Sequence, residues 1–115
     1  HFLGLNSQPS ALVCFNDMLA IGVLKGLQQA GIHVPDEFSV TGFDNIVYSA
    51  YTNPPLTTFD QPKRFIGAEA ARLVLELLNS PAGEDPSEKP QVRMLKGGLL
   101  VRETTAQSVI ENRNS

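Results

Sequence analysis

A strand, a helix and a second strand follow one another in the first half of this 115-residue chain, and that order constrains the fold more than any other feature. Residues 11–15 (ALVCF) form a nearly continuous apolar run, which is typical of a strand buried on both faces of a parallel sheet. Residues 18–30 carry apolar side chains at helical spacing, and Gly31 stands where helices commonly end. Residues 38–43 are predicted to form the second strand, with Gly42 permitting close approach of another backbone or a ligand. The pattern indicates a right-handed βαβ unit with parallel strands.

Polar residues stand directly after both predicted strands. Parallel strands end at one edge of the sheet, and open α/β sheets bind ligands in the crevice outside that edge. Asp44 therefore has two interpretations that the residues leave open, a ligand contact and a cap for the following turn. For Asn16 and Asp17 the N-cap of the helix is favoured, and one of the two can cap while the other points outward.

The second half of the chain alternates between extended and helical patterns. Residues 56–59 (LTTF) are predicted to form a short crossing strand, and residues 62–78 a helix with one apolar stripe. Residues 79–90 have the composition of a surface loop. Residues 91–105 are predicted to hold a strand pair, with Gly97 and Gly98 at its turn or at a bulge.

Composition argues against several classes of protein. Nine Lys and Arg residues are scattered along a chain of net charge −3, which is not the pattern of a nucleic-acid-binding surface. No apolar run approaches the length of a membrane span. Cys14 is the sole cysteine, so neither an internal disulfide nor a multi-thiolate metal site is possible, and its apolar neighbours suggest a buried, unreactive thiol.

Catalytic groups are scarce. His1 and His33 are the only histidines, and His33 lies in a polar connection that favours simple solvation. Nucleophile-elbow, dinucleotide-binding and phosphate-loop motifs are absent from the sequence. The acidic residues between positions 84 and 88 lack the spacing of a calcium loop. We therefore predict that the chain is not an enzyme and needs no metal or other cofactor.

Three segments together resemble one family: CFNDMLAIGVLKGLQQAGIHVPDEFSVTGFDNI, PPLTTFDQP and LLVRETT. Over residues 9–105 the chain is similar to the carboxy-terminal part of the effector-binding core of LacI/GalR-family transcriptional regulators. The resemblance implies an α/β fold, a parallel-sheet Rossmann-like fragment of a two-lobed type I periplasmic-binding-protein-like fold. It assigns residues 1–55 to the carboxy-terminal lobe, 56–90 to a crossover and an amino-terminal-lobe helix, 91–106 to return strands and 107–115 to a flexible tail.

The resemblance also implies site residues. Family members hold the effector between the lobes, and the acidic residue that ends the Gly-Phe-Asp strand contacts it. That residue is Asp44 here. Asn16 matches another pocket-facing position, Gln61 matches a position at a crossover between the lobes from which it can reach the ligand, and Asn45 is a weaker candidate. Family dimerisation points to four further residues, although Ile21 and Leu24 are equally compatible with the core and the tyrosines with ordinary packing. These four are Ile21, Leu24, Tyr48 and Tyr51.

The function implied by the resemblance is that of a sensing module. The expected partners are a small sugar- or nucleoside-like effector, a second copy of the chain in a homodimer, and operator DNA, the last only through a helix-turn-helix domain absent from this sequence. Such a repressor would be cytoplasmic, and the first residues resemble an internal cut of a longer chain. The alternative is the solute-binding protein of a sugar transporter, which shares the architecture. An α/β enzyme is a third hypothesis, disfavoured by the missing catalytic groups.

Overall fold

The computed structural model describes residues 9–79 and 92–107. Its elements are β1 (Ala11–Val13), α1 (Asp17–Gln29), β2 (Ser39–Phe43), a 3₁₀ helix (Val47–Ala50), β3 (Thr57–Asp60), α2 (Lys63–Leu78) and β4 (Gly98–Leu100). The chain divides into two compact units. One, the sheet unit, runs to Asp60 and resumes at Gly98, and the other, the helix unit, is Gln61–Gly97. The lobe assignment by residue range stays a prediction.

Four strands form one sheet in the order β1-β2-β3-β4. The first three are parallel, with Leu12 opposite Val40 and Gly42 opposite Thr58, and β4 runs antiparallel to β3. The predicted βαβ unit and the strand after the prolines are confirmed. The predicted strand pair in residues 91–105 is wrong for the described residues 92–107, which hold β4 alone. The reason is that β4 pairs with β3 instead of with the residues just before it.

Helix α1 has sequence-encoded signals at both ends. The Asn16 side chain accepts a hydrogen bond from the Leu19 N–H at 2.9 Å, which satisfies one of the free donors of the first turn. At the other end Gly31 adopts φ +73°, a conformation that costs glycine little. The Gly31 N–H donates to the Gln28 carbonyl and the Ile32 N–H to the Leu27 carbonyl. These two bonds form the Schellman motif that the glycine predicted.

The core of the sheet unit lies between α1 and one face of the sheet. Its buried hydrophobic residues are Cys14, Ala20, Leu24, Leu27, Phe38, Val40 and Leu56. The prediction that the first strand is buried on both faces is wrong for this chain, because Val13 is 81% exposed and Phe15 85%. β1 is an edge strand of the described sheet, and only the face that carries Leu12 packs against the core.

The segment after β4 is tied to the starts of β2 and β3. Thr104 is fully buried, and its hydroxyl donates to the Val40 carbonyl at 2.7 Å and accepts from the Thr57 N–H at 2.8 Å. The Val40 N–H in turn donates to the Thr104 carbonyl. One threonine thus satisfies backbone groups of two neighbouring strands, because β2 and β3 pair with each other only from Thr41 and Thr57 onward.

The helix unit is different in character. α2 is amphipathic, yet none of its residues is buried. Arg93 donates to two carboxylates on the helix, Glu69 at 3.4 Å and Glu76 at 3.2 Å, and both of these ion pairs are solvent-exposed. Among the described residues, no helix is both long enough and apolar enough to span a membrane.

Candidate functional site

Three loops carry carboxylates and amides to one edge of the sheet. Because β1, β2 and β3 are parallel, the residues that follow or end them lie at the same edge. Asn16 and Asp17 follow β1, Asp44 and Asn45 follow β2, and Asp60 ends β3.

Asp17 is fully buried and points into the protein, although the sequence left open whether it or Asn16 faced outward. Its Oδ2 accepts from the Ile46 N–H at 2.8 Å, and its Oδ1 accepts from the Thr58 hydroxyl. Charged acceptors make stronger hydrogen bonds than neutral ones. Asp17 therefore ties the start of α1 to the turn after β2 and to the middle of β3.

Gly42 is required by that arrangement. A Cβ atom at this position would lie 2.2 Å from Asp17 Oδ1 and 3.0 Å from a Leu56 methyl carbon. Real Cβ atoms do not approach other atoms so closely, so a larger residue would displace the carboxylate. The close approach predicted at Gly42 is confirmed, but the nearest group is the Asp17 side chain and not the backbone or ligand that was expected.

Asp44 lies at the end of β2 in an unusual backbone conformation. Its φ is 112°, and Asn45 follows with φ 50°. Asparagine tolerates the left-handed region, whereas aspartate at φ 112° is strained by about 1–3 kcal/mol. The strand ladder continues to this point, since the Asp44 N–H donates to the Phe59 carbonyl at 3.0 Å. Phe43 stacks on Phe59 with ring centroids 5.0 Å apart. The half-buried Asp44 is thus held on a rigid support.

Asn16, the second predicted contact residue, is half-buried and caps α1 through Oδ1. The preference for a capping role is confirmed. The cap engages the carbonyl oxygen of the side-chain amide, and the Nδ2 group takes no part in it. One residue can therefore cap the helix and still offer a donor at the strand edge.

Asn45 makes several side-chain hydrogen bonds inside the protein. Its Nδ2 donates to Asp60 Oδ1 at 3.1 Å, and its Oδ1 accepts from Arg102 Nη2 at 2.9 Å. The Asn45 N–H donates to the Thr58 hydroxyl at 3.3 Å. The structure therefore gives Asn45 a role in holding the loop after β2.

Arg102 was not singled out from the sequence, although it lies in the LLVRETT segment. It is half-buried, two residues after β4. Its Nη1 donates to the Ser49 hydroxyl at 3.0 Å and to the Leu56 carbonyl at 2.8 Å, while Nη2 reaches Asn45. Arginine has five donors in a planar fork, which suits several acceptors at once. No local sequence pattern indicates this set, because the partners lie 46 to 57 positions away.

The remaining predicted site residues are Gln61, in the helix unit, and the four residues expected at a dimer interface. Gln61 begins the helix unit and is half-buried, and its carbonyl accepts from the Lys63 N–H. Leu24 belongs to the core, and Ile21 packs against that core. Tyr48 and Tyr51, at the 3₁₀ helix, are 68% and 82% exposed.

The side chains at this edge are carboxylates and amides, which make hydrogen bonds. Among residues 9–79 and 92–107, no cluster of three or more His, Cys, Asp or Glu could hold a metal ion. The acidic residues between positions 84 and 88 lie outside the described residues. Burial raises the pKa of the Cys14 thiol, which disfavours a reactive thiolate. Aligned carboxylate and amide groups on rigid strand ends suit hydroxyl-bearing small molecules.

The fold and this edge define an α/β ligand-binding domain. A family model described as periplasmic binding protein-like domain matches residues 2–105. An HTH-type transcriptional repressor PurR from Vibrio campbellii is 40% identical over 100 residues, which is 87% of this chain and 28% of the relative. The chain belongs to the periplasmic-binding-protein-like domain family and, within it, to the LacI/GalR-type effector-binding regions.

Solved structures agree with this assignment. The lac repressor dimer, solved with operator and the anti-inducer ONPF, has a TM-score of 0.74 and 29% identity, covering 86% of this chain and 32% of that chain. A LacI family regulator from Enterococcus faecium with bound ribose has a TM-score of 0.73 and 33% identity, covering 88% and 36%. These relatives are regulators and not enzymes, in agreement with the predicted absence of catalysis. The chain spans about a third or less of each protein's length.

Proposed function

We propose that this chain is the effector-sensing and dimerising portion of a bacterial LacI-type transcriptional repressor. It binds a small sugar- or nucleoside-like ligand, and the ligand alters operator binding through a helix-turn-helix domain outside this sequence. Such a repressor works in the cytoplasm. The relatives' names support repression, and the ribose bound to the Enterococcus faecium regulator supports a hydroxyl-bearing ligand. The transporter alternative lacks such support among these relatives.

One observation carries the ligand site, namely the position of Asp44. The turn after β2 is already bonded by a different carboxylate, since the Ile46 N–H donates to Asp17. This favours the ligand-contact interpretation of Asp44 over the turn-capping one. A strained residue persists only where the surrounding structure holds it, and such residues cluster at binding sites. The Asp44 carboxylate would accept hydrogen bonds from ligand hydroxyls.

Asn16 and Gln61 are proposed as further contacts. Asn16 would donate through Nδ2 while it caps α1, and Gln61 would contribute from the start of the helix unit. Asn45 stays in the proposed site with a lesser part, because its side-chain amide bonds Asp60 and Arg102.

The dimer is also a proposal. Tyr48 and Tyr51 are exposed aromatic residues that follow the loop after β2, and tyrosine is enriched in protein interfaces. Ile21 is partly buried and Leu24 fully buried, so these two contribute to an interface chiefly by supporting it from the core.

The test of this function is ligand binding by the full-length protein. Isothermal titration calorimetry with D-ribose and with adenosine measures affinity for the wild type, Asp44→Ala and the control Asp36→Ala. Asp36 is an exposed aspartate, whereas Asp44 is half-buried, and it lies before β2, away from the carboxyl ends of the strands. We expect Asp44→Ala to weaken binding roughly tenfold to hundredfold, because a charge-assisted hydrogen bond is lost. Asp36→Ala should bind as the wild type does.

Operator binding provides the second readout. Asp44→Ala should bind DNA selected from a random library as tightly as the wild type does, but lose the response to ligand, since a ligand shifts an equilibrium only through its differential affinity. Undiminished ligand binding by Asp44→Ala would refute the role of Asp44. A full-length protein that selects no DNA would refute the repressor.

A further inference from the structure

The guanidinium group of Arg102 donates hydrogen bonds to three separate segments, one of which is the loop after β2. Its acceptors are the Asn45 amide oxygen after β2, the Ser49 hydroxyl in the 3₁₀ helix and the Leu56 carbonyl before β3. All three are neutral, so these bonds depend on the geometry of the planar fork and not on charge pairing. Lysine has the same charge but offers donors from one atom, so it cannot reproduce the set.

The hydrogen bonds of the Asn45 side chain also restrain the adjacent residue, Asp44. Its amide is engaged at both ends, with Arg102 donating to Oδ1 and Nδ2 donating to Asp60. A peptide bond joins Asp44 directly to Asn45. When the position of Asn45 is fixed, the backbone that orients the Asp44 carboxylate is therefore restricted as well. Without these bonds, the strain at φ 112° favours relaxation of the loop.

The two partners of Asn45 both belong to the sheet unit but lie far apart in the sequence. Asp60 is the last residue before the helix unit, and Arg102 follows β4, the strand on which the chain returns. The loop after β2 is thereby bonded to the end of β3 and to the segment after β4 through one side-chain amide. Its conformation depends on residues distant in sequence, because Asn45 and Arg102 are 57 positions apart.

We propose that Arg102 is a positioning residue of the ligand site, which acts through Asn45 to present the Asp44 carboxylate. The effect of Arg102 on ligand binding rests on the proposed function. The effect of its hydrogen bonds on the loop after β2 does not depend on that function. Removing the guanidinium group of Arg102 should therefore have two separate effects. The loop after β2 should be less protected from hydrogen exchange, and the protein should bind ligand more weakly.

Hydrogen exchange in the full-length protein without ligand tests the first effect. The variant Arg102→Lys keeps the charge, and Arg93→Lys is the matched control because Arg93 bonds exposed carboxylates on α2. In Arg102→Lys the amides of Asn45 and Ser49 should exchange about tenfold faster or more, as expected for a lost charge-assisted hydrogen bond. The amides of Leu24 and Leu27 in α1 should keep their wild-type rates.

Two exchange results would overturn the proposal. One is unchanged protection at Asn45 and Ser49, which would mean that the loop holds itself. The other is equal acceleration of the loop and of α1, which would make Arg102 a general stabiliser of the fold and not a positioning residue.

Binding of D-ribose and adenosine to the same proteins tests the second effect by a double-mutant cycle. Arg102→Lys and Asn45→Ala should each weaken binding roughly tenfold, and the double variant should bind no more weakly than the worse single variant, because both remove one chain of contacts. Multiplying effects would show that Arg102 acts independently of Asn45 and would refute the relay. If the wild type binds neither compound, the proposed ligand class fails, while the exchange rates still decide the role of Arg102.

Discussion

Helices α1 and α2 have similar apolar stripes, but only the stripe of α1 is buried. α1 buries Ala20, Leu24 and Leu27 against the sheet, whereas α2 buries none of its residues. In α2, Phe65 is 70% exposed and Leu75 is 59% exposed. An amphipathic pattern thus shows which face of a helix is suited to burial, but not whether the same chain supplies the partner. Each helix begins near a proposed ligand contact, α1 directly after Asn16 and α2 shortly after Gln61.

Removing a leucine from each helix should give the largest difference. Leu27→Ala in α1 should lower the free energy of unfolding by about 2–5 kcal/mol, because the side chain is only 2% exposed and leaves a cavity. Leu75→Ala in α2 should change it by less than about 0.5 kcal/mol. Urea denaturation of the 115-residue chain followed by circular dichroism measures both. A cost above 1 kcal/mol for Leu75→Ala would break the comparison and show that α2 is packed.

Adding one methyl group at a glycine in each unit should give an intermediate effect. Gly42→Ala should destabilise the protein by about 1–3 kcal/mol, because its Cβ would overlap Asp17 Oδ1. Gly67→Ala in α2 meets no atom within 4 Å and should stabilise it by up to about 1 kcal/mol, since alanine favours helix. The two changes have opposite signs, so denaturation midpoints suffice. A neutral Gly42→Ala would mean that Asp17 moves without cost.

The smallest effect concerns pH and the packed side of the sheet unit. Burial raises the pKa of Cys14 above its value in the unfolded chain. Above the unfolded pKa the unfolded thiol loses its proton while the folded thiol keeps it, so stability falls as pH rises through this range. The contribution is at most about 1.4 kcal/mol per pH unit. Unfolding free energies between pH 8 and 10 should therefore fall more steeply for the wild type than for Cys14→Ala. Parallel curves would contradict this prediction.

The alternation of elements was predictable because its signals are local. Apolar periodicity, the Asn16 cap and Gly31 act within a few residues, and each appears in the structure as expected. The position of Asp44 at the edge of the sheet followed from the same logic, because parallel strands in a βαβ unit must end on one side. Gly42 was correctly linked to a close approach, but the nearest group is a side chain from α1 and not the expected backbone or ligand.

Tertiary structure alone decided what depends on distant partners. The direction of Asp17 is set by Thr58 and Ile46, and the fork of Arg102 by residues more than 40 positions away. The pairing of β4 with β3 and the exposure of β1 likewise depend on which neighbours are present in the described sheet. Local patterns carry no information about such contacts, because the sequence separation is closed only when the chain folds. The sequence by itself thus determined the βαβ unit and the edge where Asp44 lies, and the folded chain determined which distant side chains bond the neighbouring loop.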